Sequence, residues 1–188
     1  MFARTERLLL RPGWVEDAPA LHAAIADEGI IRNLAKAPWP YTPAHAEAFL
    51  AAPHAIDSPN FLIFDCASDG SRLVGSVGFG RTPDGGREFG YWIARAFWGL
   101  GYATEAGRAV VAMARHSLRV GRLNSGHFVD NPASGRVLEK LGFRPTGVIA
   151  PRFSVGRGEL TPCRLFELQL SAGEEKGVAE PTLALVAA

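Results

Sequence analysis

Two glycines, Gly99 and Gly101, stand in the stretch AFWGLGYATEA just before residues with helical periodicity. A helix N-terminus carries unpaired N–H groups and about half a positive charge, so it attracts anions. Glycines there let the backbone approach phosphate oxygens with no Cβ in the way. Three readings fit the spacing: a plain strand-to-helix turn, a dinucleotide loop, or a loop holding some other pyrophosphate. A dinucleotide site needs G-x-G-x-x-G in an early parallel βαβ unit, and no third glycine stands at that spacing. A P-loop needs Gly-Lys-Ser/Thr, which does not follow. The turn and the other pyrophosphate loop stay open.

The remaining reactive side chains are sparse. His22, His45, His54, His116 and His127 show no H-E-x-x-H or other metal-ligand spacing, so no metal is expected. His127 lies mid-strand in NSGHFVD, where a core histidine is the favoured reading. Cys66 and Cys163 are the only cysteines and form no C-x-x-C pair, which fits a reducing compartment. Trp39 and Tyr41, in APWPYTP, suit either a substrate wall or aromatic packing.

These residues need elements to position them. ERLLLRP reads as a first strand ended by Pro12 and Gly13. Val15, Ala18, Leu21 and Ile25 then recur at helical spacing, with Asp17 and Pro19 at the helix start. Pro38, Pro40 and Pro43 punctuate the connector, and a second helix runs from Thr42, its N-cap by residue type, to about Ala51. From Asn60 the period changes: FLIFDCAS, LVGSVGFGRT and REFGYWIA form an antiparallel meander, with turns at Asp69-Gly70 and PDGG. The glycine loop follows, then a helix with Ala106, Val110, Met113, Ala114 and Leu118 on one face. RLNSGHFVDN is a strand, PASGRVLEKLG a helix closed by Gly142, and FRPTGVI and CRLFELQL two last strands. The order predicts an α+β domain, with a mixed, mostly antiparallel sheet whose one parallel crossover is the central helix.

The combination of EFGYWI, WGLGYATEA and DNPASGRVLEKLGF resembles the GCN5-related N-acetyltransferase (GNAT) superfamily, in particular its RimJ- and RimL-like branch. TERLLLRP and DAPAL fit that branch as well, and the resemblance covers about residues 4 to 170. It implies the GNAT fold, with splayed central strands flanked by helices, and acetyl-CoA as cosubstrate. It also implies that backbone groups of Trp92 and Ile93 pair with the pantetheine arm. The loop Trp98, Gly99, Leu100, Gly101, Tyr102, Ala103 and Thr104 would hold the pyrophosphate. Trp98 departs from the family's Q/R-x-x-G-x-G/A signature at its first position, which leaves binding to backbone N–H groups. Asn131 resembles the family asparagine that contacts the cofactor; as a helix N-cap it would be equally natural. Tyr102 suits packing or a phosphate contact better than a role as acid.

Two residues carry the chemistry that the resemblance implies. Acetyl transfer needs a neutral amine, an acceptor for the developing oxyanion and a proton for the leaving thiolate. Glu88 is the candidate base: alternation puts it on one strand face with Gly90 and Trp92, about 13 Å from Trp92 along a straight strand. Its other reading is a solvated charge paired with Arg87 or Arg81. Ser134 matches the branch serine proposed to protonate the leaving sulfur; its other reading is a first-turn serine bonded to its own helix.

Composition bounds the rest. The chain has 188 residues, 47% apolar and 21% charged, with a formal net charge of +1, so no long-range field draws nucleic acid or an anionic membrane. No run of about 18 apolar residues is present, and MFARTERLLLRPG lacks a signal-peptide core. The expectation is a cytoplasmic protein with one domain over residues 1–170 and a loose tail over 171–188. Its function would be direct acetyl transfer from acetyl-CoA to a primary amine, on a protein N-terminus or a small molecule. A catalytically silent CoA-binding regulatory or interaction module is the alternative, and a longer acyl donor a third idea. A homodimer rests on analogy with relatives alone.

Overall fold

The computed structural model describes residues 1–53, 55–66 and 71–170. His54, the Asp69-Gly70 turn and the 171–188 tail lie outside these residues.

Eight strands form one sheet: β1 (Ala3–Arg4), β2 (Leu8–Arg11), β3 (Asn60–Asp65), β4 (Arg72–Arg81), β5 (Arg87–Ile93), β6 (Arg122–Phe128), β7 (Arg144–Ser154) and β8 (Glu159–Gln169). Their spatial order is β1-β2-β3-β4-β5-β6-β8-β7. The pairs are antiparallel apart from β5 with β6, whose parallel ladder holds the single register pair Glu88 and Asn124. Beyond that pair the two strands separate. The mixed α+β sheet with splayed centre is therefore present.

Helices cover both faces. α1 (Ala18–Ile25), α2 (Glu28–Ile31) and α3 (Pro43–Ala51) pack Leu21, Ile25, Ile30, Ile31 and Ala46 against Leu62, Phe64 and Leu73 of the sheet. α4 (Tyr102–His116) and α5 (Pro132–Lys140) cover the other face, with Ala106, Val110 and Leu138 buried against Val77, Phe89, Leu123 and Phe166. Ala106, Val110 and Ala114 of α4 are fully buried and follow the 3.6 period, while Met113 and Leu118 pack at the margin of the same cluster.

Three features depart from the sequence expectation. α2 spans four residues, too few to show a period, and is fixed by Asp27, whose carboxylate accepts from the Ile30 N–H. The last two strands run eleven residues each, longer than the apolar fragments suggest. Pro151 and Pro162 face each other in that hairpin, and prolines inside a strand mask its pattern. Finally, β8 inserts between β6 and β7, so β7 is the sheet edge.

One polar cluster ties the N-terminus to α4. Glu105, in the first turn of that helix, accepts from the Arg7 backbone N–H at 3.0 Å, from Arg7 Nε at 2.8 Å and from the Thr5 hydroxyl. Burial pushes its carboxyl up, but the Thr5 and Arg7 hydrogen bonds outweigh this and hold it below the usual carboxylate range. A lowered folded value means the stabilisation is present above the unfolded pKa, near 4.5, and is lost as pH falls below it. Glu105→Gln is expected to cost about 1.5 kcal/mol, or ~4 °C in melting temperature at pH 7. The gap to wild type should narrow on acidification, as thermal melts from pH 7 to 3 would show.

Candidate active site

A cleft of about 320 Å³ lies beside the diverging end of β5, within the range of ligand pockets. Tyr91, Trp92 and Ile93 form one wall. The loop from Trp98 to Thr104 and the first turns of α5 form two more, and Ile30, Asn33 and Leu34 close the end under α2.

The β5 wall offers backbone groups in a definite order. The Ala94 N–H donates to the Val74 carbonyl at 2.8 Å, so the alternation of an antiparallel ladder turns Trp92, two residues back and opposite Ser76, onto β4 as well. Phe89, Tyr91 and Ile93 consequently point their backbone groups the other way. Two contacts agree: the Ser125 hydroxyl donates to the Phe89 carbonyl at 2.9 Å, and the Trp98 indole N–H donates to the Ile93 carbonyl at 2.7 Å. The backbone role expected of Trp92 thus shifts to Tyr91. Trp92 lines the cleft with its side chain, and Ile93 keeps its N–H on the open side.

The glycine loop is shaped by left-handed backbone. Gly99 has φ +80° and Gly101, the N-cap of α4, has φ +84°, conformations that side chains with a Cβ adopt at a cost. The first bonds of the helix start at Thr104 and Glu105, both donating to the Gly101 carbonyl. The N–H groups of Gly101, Tyr102 and Ala103 are left without intrahelical acceptors, beside the cleft. Gly99, Gly101, Tyr102, Ala103 and Thr104 line it, whereas Leu100 is half exposed and does not.

Trp98 accounts for its own departure from the signature. Its indole pins the loop to the end of β5 through Ile93, and the Arg95 guanidinium lies 4.7 Å from the ring centroid. Trp98→Phe keeps an aromatic ring and loses the bond, so CoA affinity is expected to fall about fivefold with little change in melting temperature. Titration calorimetry measures this. The Tyr102 side chain is committed to packing: its hydroxyl donates to Asp65 at 2.9 Å and its ring stacks on Phe97.

On α5, Asn131 caps the helix, its Oδ1 accepting from the Ser134 N–H at 3.3 Å, while also lining the cleft. Both expected roles are therefore compatible with its position. Ser134 Oγ lies 2.7 Å from the Tyr91 hydroxyl across the cleft wall. Burial pushes the Tyr91 phenol up to about 12, against the opposing pull of the Ser134 hydrogen bond. Arg136 and Lys140 also line the cleft. Sequence reasoning passed over Tyr91, Arg136 and Lys140; the i, i+4 spacing of the two cations, on the face that carries Ala133 and Val137, was the available signal.

Glu88 lies outside the cleft's lining, at the vertex where β5 and β6 part. Its carboxylate pairs with Arg152 of β7, while Arg81 and Arg87 are bound to Asp57. The partners expected from sequence are corrected accordingly, because the β7–β8 hairpin brings Arg152 over the sheet. Gly90, on the Glu88 face, is exposed with open space above it. His127 is buried, with its ring against Phe166 and Nδ1 2.8 Å from the Phe128 carbonyl. Tyr41 is buried between His22 and His45, the packing alternative, while Trp39 is partly exposed. Among the described residues, no group of three or more His, Cys, Asp and Glu side chains could hold a metal ion, and no helix is long and apolar enough to cross a membrane.

A sheet parted beside an anion-attracting helix start, with a cleft along the free strand edge, defines the acetyltransferase fold class. Residues 7–144 match the acetyltransferase (GNAT) domain, and the chain belongs to that family. It is 29% identical over 155 residues to YoaA of Bacillus subtilis (strain 168), named an uncharacterised N-acetyltransferase, covering 77% of this chain and 84% of that one. The fold is shared with a GNAT-family acetyltransferase from Bacillus anthracis (TM-score 0.76, 23% identity, 90% of this chain and 98% of that one). It is shared too with RimL, a ribosomal L7/L12 α-N-protein acetyltransferase solved with CoA (TM-score 0.74, 19% identity, 90% and 98%). By family the protein is an N-acetyltransferase.

Proposed function

We propose that the protein transfers acetyl from acetyl-CoA directly to a primary amine, on a protein N-terminus or a small molecule, in the manner of the RimJ- and RimL-like branch. The observation that carries this is one continuous cleft joining the unpaired N–H groups of Gly101 to Ala103 with the free edge of β5. Acetyl-CoA supplies an activated thioester. The loop N–H groups would hold its pyrophosphate, with Arg136 and Lys140 placed to neutralise phosphate charge. Tyr91 and the Ile93 N–H would pair with the amide groups of the pantetheine arm as an added half strand. Asn131, whose side-chain NH₂ is not used in the cap, would donate nearby.

Glu88 would take the amine proton. It stands two residues from Gly90, about 6.6 Å along the strand, and the bare glycine leaves room for an amine to approach between Glu88 and Trp92. An α-amine, with a pKa of about 7.7 to 8.0, is substantially neutral near pH 7.5. A lysine amine near 10.4 would need roughly 3.5 kcal/mol more. That difference favours α-amino acceptors for a carboxylate base. Direct transfer is supported by the cysteines: Cys66 lies away from the cleft lining, and burial pushes the Cys163 thiol up, away from nucleophilic thiolate.

Calorimetry with acetyl-CoA, followed by thiol-release assays over amines and N-terminal peptides, tests the reading. Low-micromolar binding and turnover of α-amines are expected. Absence of binding at high micromolar concentration would overturn it, and binding without thiol release on any amine would instead mark a silent CoA-binding module.

A further inference from the structure

The Tyr91 and Ser134 hydroxyls form a pair that no family signature in this sequence names, since one sits on β5 and the other on α5. Ser134 Oγ has Tyr91 as its only partner among the described residues. The Tyr91 hydroxyl also lies 3.2 Å from the Ser134 carbonyl. A phenol has one proton, so two arrangements exist. If Tyr91 donated to the carbonyl, Ser134 would have to donate to Tyr91 and its own proton would be used up. If Tyr91 donates to Ser134 Oγ, the shorter contact, the serine proton is free to point into the cleft. The Oγ contact, at 2.7 Å against 3.2 Å to the carbonyl, is the stronger of the two, which favours the second arrangement.

We propose that Tyr91 is a positioning residue for the leaving sulfur: its hydroxyl donates to Ser134 Oγ and thereby turns the serine O–H toward the thiolate that departs when the acetyl group is transferred. This rests on the acetyl-transfer reading above. The chain supplies hydrogen bonds and no net proton. Buried Tyr91 titrates at about 12. Giving its proton to the CoA thiolate, whose acid titrates about a unit above the cysteine value of about 8.5, would be uphill by roughly three hundredfold. Tyr91 accordingly stays neutral, the thiolate is held by the Ser134 O–H, and the proton that makes the thiol arrives from solvent, which has received one from the amine by way of Glu88. Each hydroxyl polarises the next, so the pair should act as a unit.

The pair can be tested on binding alone, with CoA and desulfo-CoA, which carries the same phosphates and so cancels the contributions of Arg136, Lys140 and the loop. Stabilising the bound thiolate tenfold makes the CoA affinity, relative to desulfo-CoA, rise about threefold between pH 7 and 9. Tyr91→Phe and Ser134→Ala should each lose most of that rise, and Ser134→Thr, which keeps the hydroxyl, should retain it. In turnover, Tyr91→Phe should lower kcat about tenfold with KM for acetyl-CoA within about twofold. Adding it to Ser134→Ala should cost nothing more. A full rise in Tyr91→Phe, or additive losses in the double variant, overturns the proposal. Failure to bind CoA at any pH would defeat the acetyl-transfer reading itself, whereas CoA binding with no thiol-dependent rise in wild type defeats only this inference.

Discussion

Gly99→Asp is expected to weaken CoA binding about a hundredfold, while Gly99→Asn weakens it only a few-fold. Both side chains tolerate the left-handed backbone at φ +80°, and an added Cβ meets open space, so the fold should bear either one. The two differ by one negative charge placed beside the α4 N-terminus. At about 4 Å from a phosphate oxygen, that charge costs ~1 kcal/mol in bulk water and ~4 kcal/mol at an effective dielectric of 20. A half-open cleft lies between, and about 2.7 kcal/mol is a hundredfold. Titration calorimetry with CoA reads the effect, with thermal melts as the fold control. Equal affinities for the two variants would show that no phosphate rests on this loop. Gly101 is a poorer probe, because a Cβ there comes within 3.6 Å of the Arg7 guanidinium, which would neutralise an aspartate.

The second large effect concerns Glu88. Glu88→Gln is expected to lower kcat by about a hundredfold or more, the usual contribution of a general base, with acetyl-CoA affinity unchanged. The amide keeps size and hydrogen-bonding reach but cannot accept the proton. Arg152 would lose its partner, yet the pair is partly exposed, so the stability cost should be within about 1 kcal/mol. Turnover of the variant should climb as pH rises to about 8 and then level off, because only amine already neutral in solution can react. Steady-state kinetics from pH 6.5 to 9 on an N-terminal peptide would check both points. A variant with wild-type kcat at pH 7 would remove Glu88 as base and leave it a structural partner of Arg152.

Arg152 illustrates what local pattern does not contain. From sequence, the cations nearest Glu88 are Arg87 and Arg81, and both turn instead to Asp57 on the connection before β3. The long excursion of β7 and β8 decides the pairing by carrying Arg152 across the sheet to Glu88. Tyr91 was equally hidden: on its strand it reads as one more aromatic, and its hydroxyl acquires meaning only when α5 sets Ser134 within 2.7 Å of it.

By itself the sequence determined the meander, the amphipathic α4, the glycine loop that precedes it and the N-capped α5, together with the family they imply. These follow from period, turn chemistry and capping, which act over a few residues and are written locally in the chain. The tertiary structure alone decided which edge of β5 stays free, that Tyr91 and not Trp92 points its backbone there, and which partners Glu88 and Ser134 hold. Such choices arise from strand order and from helices closing over the sheet, where residues tens of positions apart meet. No local preference encodes those distances, because they are set by burial of the two cores on opposite faces of one sheet.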